Sequence, residues 1–190
     1  MTFTPTPSQT VGPYLHLGLT DRRSVPCLAG EGVKGERVRL TCRVLDGDNA
    51  PVPDAMIELW QADADGHYNH PEDPGSKKVD PAFRGFGRMP TGEDSACSFE
   101  TIKPGQVLGR GGNLQAPHIN VSVLGRGLLK RLSTRIYFAG DPSNGTDPIL
   151  ALVPARRRDT LMARPDPTRP GHWNFDVHLC GEGETIFFDV

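Results

Sequence analysis

Between residues 37 and 44 the chain alternates strictly: Val38, Leu40, Cys42 and Val44 are apolar, and Arg37, Arg39, Thr41 and Arg43 between them are polar. Side chains two apart on a strand share a face, so the pattern predicts a half-buried strand. The turn signal Asp46-Gly47-Asp48-Asn49 ends it, and the apolar run 55–61 predicts the next strand. Further strands are expected at 97–102, 118–124 and 132–138. In the last third, Trp173, Phe175, Val177 and Leu179 alternate with Asn174, Asp176, His178 and Cys180, the sharpest period-two pattern in the chain. Residues 64–91 are polar and rich in Gly and Pro, a long irregular excursion of the kind that carries function or an interface. The basic run Arg156-Arg157-Arg158, continuing through Ala163, is expected as the solvated face of a short helix. Together these elements predict an all-β fold: an antiparallel β-sandwich with long loops and one or two short helices.

The 190 residues suffice for one domain with a substantial core. The expected organisation is an N-terminal arm and loop over 1–34 ahead of a single core over 35–190. With 22 Gly and 18 Pro, the composition favours a turn-rich β protein over a helix bundle. A formal net charge of −2 supplies no general attraction for nucleic acid or an anionic membrane. No apolar run approaches the roughly 20 residues of a membrane helix, and the N-terminus lacks a basic start and a hydrophobic signal core, so a cytoplasmic location is expected. Cys27, Cys42, Cys97 and Cys180 form no Cys-x-x-Cys pair, which suggests neither a zinc knuckle nor a thioredoxin-like site. Cys42 and Cys180 lie in strand-like runs and are expected as small buried hydrophobes.

Candidate chemistry centres on Pro117-His118-Ile119-Asn120. On a strand His118 and Asn120 project to the same side; a His there binds a metal, whereas a neutral Asn is a poor substitute. Tyr68 lies in the polar loop Asp65-Gly66-His67-Tyr68-Asn69-His70, and a phenolate is a good ligand for a hard trivalent cation. One Tyr and one His do not hold such an ion. Taken singly, Tyr68 reads as a half-buried loop aromatic and His118 as a hydrogen-bonded core histidine.

The run Ile57-Glu58-Leu59-Trp60-Gln61-Ala62-Asp63-Ala64-Asp65-Gly66-His67-Tyr68, then Phe83-Arg84-Gly85-Phe86-Gly87-Arg88, Thr101-Ile102-Lys103-Pro104-Gly105 and Ala116-Pro117-His118-Ile119-Asn120, resembles the intradiol ring-cleaving dioxygenases in the same order along the chain. The resemblance covers residues 8–190 and implies that family's β-sandwich with long loops over one end. In iron-binding members, ferric ion is held by two Tyr and two His. Carried over by position, the first Tyr falls on Tyr68 and the first His on His118. The second Tyr falls at Val107, the second His on Asn120, and an Arg that stabilises charge on the substrate falls on Gln115.

These losses resemble the metal-free alpha chain of two-chain members, whose beta chain carries Fe(III) and cleaves 3,4-dihydroxybenzoate with O2 to 3-carboxy-cis,cis-muconate in aromatic catabolism. The opening Thr6-Pro7-Ser8-Gln9-Thr10-Val11-Gly12-Pro13-Tyr14 and the ending 181–190 fit that chain type. What the resemblance implies is a subunit with no catalytic residue or metal of its own. It pairs with the beta subunit in a higher symmetric assembly of αβ pairs and completes the wall of the partner's pocket. Thr10, Gly12, Pro13, Tyr14 and Arg126 are the expected wall; Tyr68, Val107, Gln115, His118 and Asn120 are the expected vestigial pocket. A physical argument agrees, because a ferric site needs anionic oxygen donors in a complete ligand set, and Val107 offers hydrocarbon. Two alternatives stay open: a free-standing β-sandwich that binds a small ligand without chemistry, and a self-sufficient dioxygenase with an unusual ligand set.

Overall fold

In the computed structural model, which describes residues 4–20 and 23–189, the first alternating segment is strand β1 (Arg37–Leu45). Val38, Leu40, Cys42 and Val44 are buried, while Arg37, Arg39 and Arg43 face out. The other strands are β2 (Met56–Gln61), β3 (Phe86–Pro90), β4 (Ala96–Ile102), β5 (Val107–Leu108), β6 (Leu114–Gln115), β7 (His118–Leu124), β8 (Leu132–Phe138), β9 (Met162–Pro165) and β10 (His172–His178). Eight of them form one continuous sheet in the order β3-β2-β7-β8-β9-β10-β1-β4, and β5 pairs with β6 in a separate hairpin. The fold is therefore mostly β.

Short β9 is the joint of the large sheet, pairing with β8 on one side and β10 on the other. It lets the two halves turn toward each other. Ile57, Leu59, Ile119, Val121 and Ile136 from one half then meet Leu40, Cys42, Phe99, Phe175 and Val177 from the other in a single core. Across β1, Arg43 makes a bidentate pair with Asp176 at 2.7 and 2.5 Å, and Arg39 pairs with Glu100. Such exposed pairs add little stability, but they sit on directly opposed residues and so match the register.

Several expectations need correction. The pairing is not purely antiparallel: β1–β10 and β8–β9 are parallel. Parallel neighbours need long connections, and the chain supplies one between β8 and β9 through 3-10 turns at Pro142–Thr146, Leu150–Leu152 and Ala155–Leu161. Helical content is thus a scatter of short turns, including Ser76–Lys78 and His16–Thr20, in place of one or two helices. The turn expected over 156–163 ends at Leu161, because Met162 enters β9. Its basic face is not simply solvated: Arg157 donates to the Glu184 carbonyl at 2.7 Å and Arg158 to the Val153 carbonyl at 2.9 Å. Strand β3 emerges inside the excursion expected to be irregular. Its Gly87 is required there, since a Cβ would lie 2.4 Å from Leu28 Cδ1. Leu28, within the segment expected as arm and loop, is itself fully buried in the main core.

Cys42 and Cys97 are buried opposite one another on β1 and β4, and burial pushes both thiols up, Cys97 to about 12. Cys180 is exposed, contrary to expectation, because it shares the outward phase of β10 with Asn174 and Asp176 and lies past the strand's end at His178. Among the described residues no helix is long and apolar enough to cross a membrane.

Candidate functional site

The loop after β2 is built by carboxylates that replace missing backbone partners. Asp63 Oδ1 accepts the N–H groups of Asp65 and His67, both at 2.9 Å, and Asp73 accepts those of Tyr68 and Gly75 at 2.9 and 2.6 Å. Gly66 has φ +84°, and a Cβ there would lie 2.0 Å from the Gln106 carbonyl oxygen. Backbone thus packs directly on backbone, which sets the Tyr68 loop against the turn leading to Val107. Tyr68 stacks on Trp60, with ring centroids 5.8 Å apart and planes 12° from parallel.

The pairing of β2, β7 and β8 supplies the other side. Asn120 lies opposite Trp60 on one neighbour and Arg135 on the other. Its amide reaches the Tyr68 hydroxyl at 3.3 Å and the Trp60 carbonyl at 3.4 Å. His118 is buried, with Nδ1 2.8 Å from the Ala116 carbonyl and its ring 5.9 Å from that of Tyr137. Val107 is buried on β5 and pairs with Gln115 on β6. The five residues expected as a vestigial pocket are therefore brought together.

Arg135 connects them. Its Nη1 donates to Gln115 Oε1 at 2.6 Å and to the Tyr137 hydroxyl at 3.4 Å; Tyr137 in turn donates to Asp147 Oδ1 at 3.2 Å. Asp147 also accepts the N–H groups of Ala116, Ile149 and Leu150, fastening the 3-10 segment onto the outer face of β8. Neither Arg135 nor Tyr137 was singled out from the sequence. The available signal was the period of 132–138, which places Ser133, Arg135 and Tyr137 on one face; the register against β7 was not legible.

The electrostatics follow from this guanidinium and from burial. Burial foremost, then Arg135, pushes His118 down to about 4, so its ring is neutral at ordinary pH. Burial raises Tyr68 against the lowering effects of the Asn120 hydrogen bond and Arg135, and raises Tyr137 to about 12. These residues do not fit a ferric ion. It requires anionic oxygen donors in a complete set, but Val107 contributes hydrocarbon and Asn120 donates its amide protons to the Tyr68 oxygen. Among the described residues no three His, Cys, Asp or Glu side chains cluster as a metal site.

The residues expected as a pocket wall gather elsewhere. Thr10 Oγ1 accepts the Gly127 N–H at 2.8 Å, which pins the arm to the turn between β7 and β8. Gly12, Pro13 and Arg126 line a small hollow there, Tyr14 is exposed, and Arg126 Nη2 lies 3.5 Å from Asp54 Oδ2. From Asn120 to Leu124, the end of β7, is roughly 13 Å at the usual rise, and Arg126 lies in the turn beyond it. The arm therefore belongs to a different surface from the Tyr68–His118 cluster.

A family model described as Dioxygenase matches residues 11–181. The chain is 44% identical over 202 residues to the protocatechuate 3,4-dioxygenase alpha chain of Burkholderia cepacia, covering 100% of this chain and 99% of the relative. It is 40% identical over 158 residues to the beta chain of the same enzyme from Burkholderia cepacia, covering 80% and 67%. Among solved structures, the dioxygenase domain of a dioxygenase carbohydrate-binding protein fusion from Streptomyces sp. SirexAA-E superimposes with TM-score 0.63 at 26% identity, covering 94% of this chain and 99% of that one.

Proposed function

Because the chain belongs to the intradiol ring-cleavage dioxygenase family, we propose that it is the alpha subunit of a protocatechuate 3,4-dioxygenase, a single β-sandwich domain that works beside an iron-bearing beta chain. The assembly inserts both atoms of O2 into 3,4-dihydroxybenzoate, cleaving the bond between the two hydroxylated carbons to give 3-carboxy-cis,cis-muconate. The observation that carries the reading is the cluster at the family's metal position, where Val107 and Asn120 stand in place of ligands and Asn120 bonds the Tyr68 oxygen. A chain built this way has no place for the ferric ion, so Fe(III) belongs to the partner. Similarity to a beta chain as well as an alpha chain supports a pair of subunits sharing one fold.

This chain's own contribution is then positional. The arm carrying Thr10, Gly12, Pro13 and Tyr14 is held at one end, exposed along its length and anchored beside Arg126. That suits it to reach across an interface and close the wall of the partner's pocket. There Arg126 faces the benzoate carboxylate, for which a planar guanidinium is the matching group. αβ pairs then assemble into a larger symmetric particle.

The test is co-expression with a beta chain from the same source, followed by iron analysis and oxygen uptake. Expected are a stable complex with one iron per αβ pair, ring cleavage of 3,4-dihydroxybenzoate, and no tyrosinate-to-iron colour in this chain alone. One equivalent of ferric ion with a visible charge-transfer band in the lone chain, or failure to associate with the beta chain, would overturn the assignment.

A further inference from the structure

The outer face of the sheet carries two polar rungs, each four strands wide. One reads Phe86–Trp60–Asn120–Arg135 across β3, β2, β7 and β8, and the next Arg88–Glu58–Ser122–Ser133. They floor a cavity of about 810 Å³, within the size range of small-molecule sites. Leu152 and Val153 of the 3-10 segment and Ile186 and Phe188 of the C-terminal tail wall it. The Asp147 bonds that fasten the 3-10 segment and the Phe188 N–H to Ser133 carbonyl bond of 2.7 Å hold these walls on the sheet.

Charge decides what such a cavity accepts. Of the carboxylates in its lining, Glu58 is paired with Arg88 at 2.5 Å, and Asp189 is at the solvent edge, fully exposed and 3.7 Å from Lys130. Arg135 uses Nη1 on Gln115 and Tyr137, and among the described residues neither Arg135 nor the rim residue Arg131 has a carboxylate within ion-pair distance. Arg135 itself lines the cavity, its Nε and Nη2 without a hydrogen-bond partner among the described residues, and Ser122 and Ser133 line it on the next rung. Trp60 and Phe86 add aromatic surface to the same floor.

We propose that this cavity is a non-catalytic binding site for a monocyclic aromatic carboxylate, its carboxylate held by Arg135 and its ring against Trp60 and the apolar wall. A half-buried guanidinium with unspent donors is the group a planar carboxylate matches in a fork, and an apolar aromatic rim rewards a flat ring over a bare ion. The site requires neither iron nor a partner chain, so it stands or falls separately from the subunit assignment.

The probe is benzoate, titrated into the full chain as purified, alone or with whatever subunit accompanies it. Trp60 lies in the cavity, whereas Trp173 packs edge-on against Phe138 in the core, so a saturable fluorescence change reports the site. Isosteric, uncharged benzamide is the control, and any visible iron band of a partner is followed in parallel. Arg135→Gln is expected to weaken benzoate roughly ten- to a hundredfold, the loss of a hydrogen-bonded charge contact. Ser122→Phe, which fills the floor and leaves the Arg135 charge in place, is expected to do the same, so a folding defect in one variant leaves the other informative. Equal affinity for benzoate and benzamide, undiminished binding in both variants, or a response that tracks only the partner's iron band would overturn the proposal.

Discussion

Replacing His118 by Asn should flatten the acid side of the stability profile. In the folded chain the His118 ring is held down to about 4 by burial and Arg135, against roughly 6.5 when unfolded. The sign follows from the proton count. Between these values the unfolded chain binds a proton that the folded chain refuses, so stability rises with pH through the window and is lost as pH falls from about 6.5 toward about 4. Some 2.5 units at ~1.4 kcal/mol each give a total on the order of 3 kcal/mol, of which about 2 kcal/mol is lost between about pH 7.5 and about pH 5. The Asp141 and Asp166 carboxyls are lowered from their ordinary values, so their losses fall at lower pH and leave this window to histidine. The Asn amide can reproduce the Nδ1 contact with the Ala116 carbonyl and does not titrate. Urea unfolding of both proteins across that pH range is the assay. The same pH-dependent loss in wild type and His118→Asn would refute the reasoning, whatever their absolute stabilities.

Gly66→Ala, whose Cβ would lie 2.0 Å from the Gln106 carbonyl at a φ of +84°, should cost at least about 2 kcal/mol in thermal unfolding and displace the Tyr68 loop; an unchanged melting temperature would count against it. Arg126→Ala, at a side chain 80% exposed, should leave stability within about 0.5 kcal/mol while lowering the assembly's apparent affinity for 3,4-dihydroxybenzoate roughly ten- to a hundredfold and sparing catechol, as kcat and KM on both substrates will show.

Most of the sheet was legible because its strands have one buried face. The alternation over 37–44 and 173–177 maps directly onto β1 and β10, and only the core-facing residues needed identifying. Where that signal fails, so did the expectation. In β3, Gly87 occupies a core position because Leu28 crosses over it, so an apolar period never appears. Parallel pairing of β1 with β10 is a property of chain path, which a local period does not encode. Cys180 falls in the outward phase of the β10 alternation, with Asn174, Asp176 and His178, and lies just past the last bond to β1, from the Leu179 N–H to the Leu45 carbonyl, so its burial did not follow from the pattern. For the site, Tyr68, Val107, Gln115, His118 and Asn120 were legible through their resemblance to a ligand pattern. Arg135 was not, since it matches no ligand and its place depends on the register of β8 against β7.

Arg135 also ties the Tyr68–His118 cluster together. Removing ligands from such a site leaves polar groups facing a void, and an unpartnered buried donor or acceptor costs about 1–3 kcal/mol. Here each is answered: Asn120 donates to Tyr68, Arg135 to Gln115 and Tyr137, and Tyr137 to Asp147. The buried side-chain atoms without a partner among the described residues, Ser95 Oγ and Asn144 Oδ1, lie outside this network. The cluster is thus a hydrogen-bonded network with a cation built in as side chain, and that cation keeps donors to spare. Its positive charge is permanent, since a guanidinium stays protonated in proteins, whereas a bound ion would come and go with its ligands' protonation.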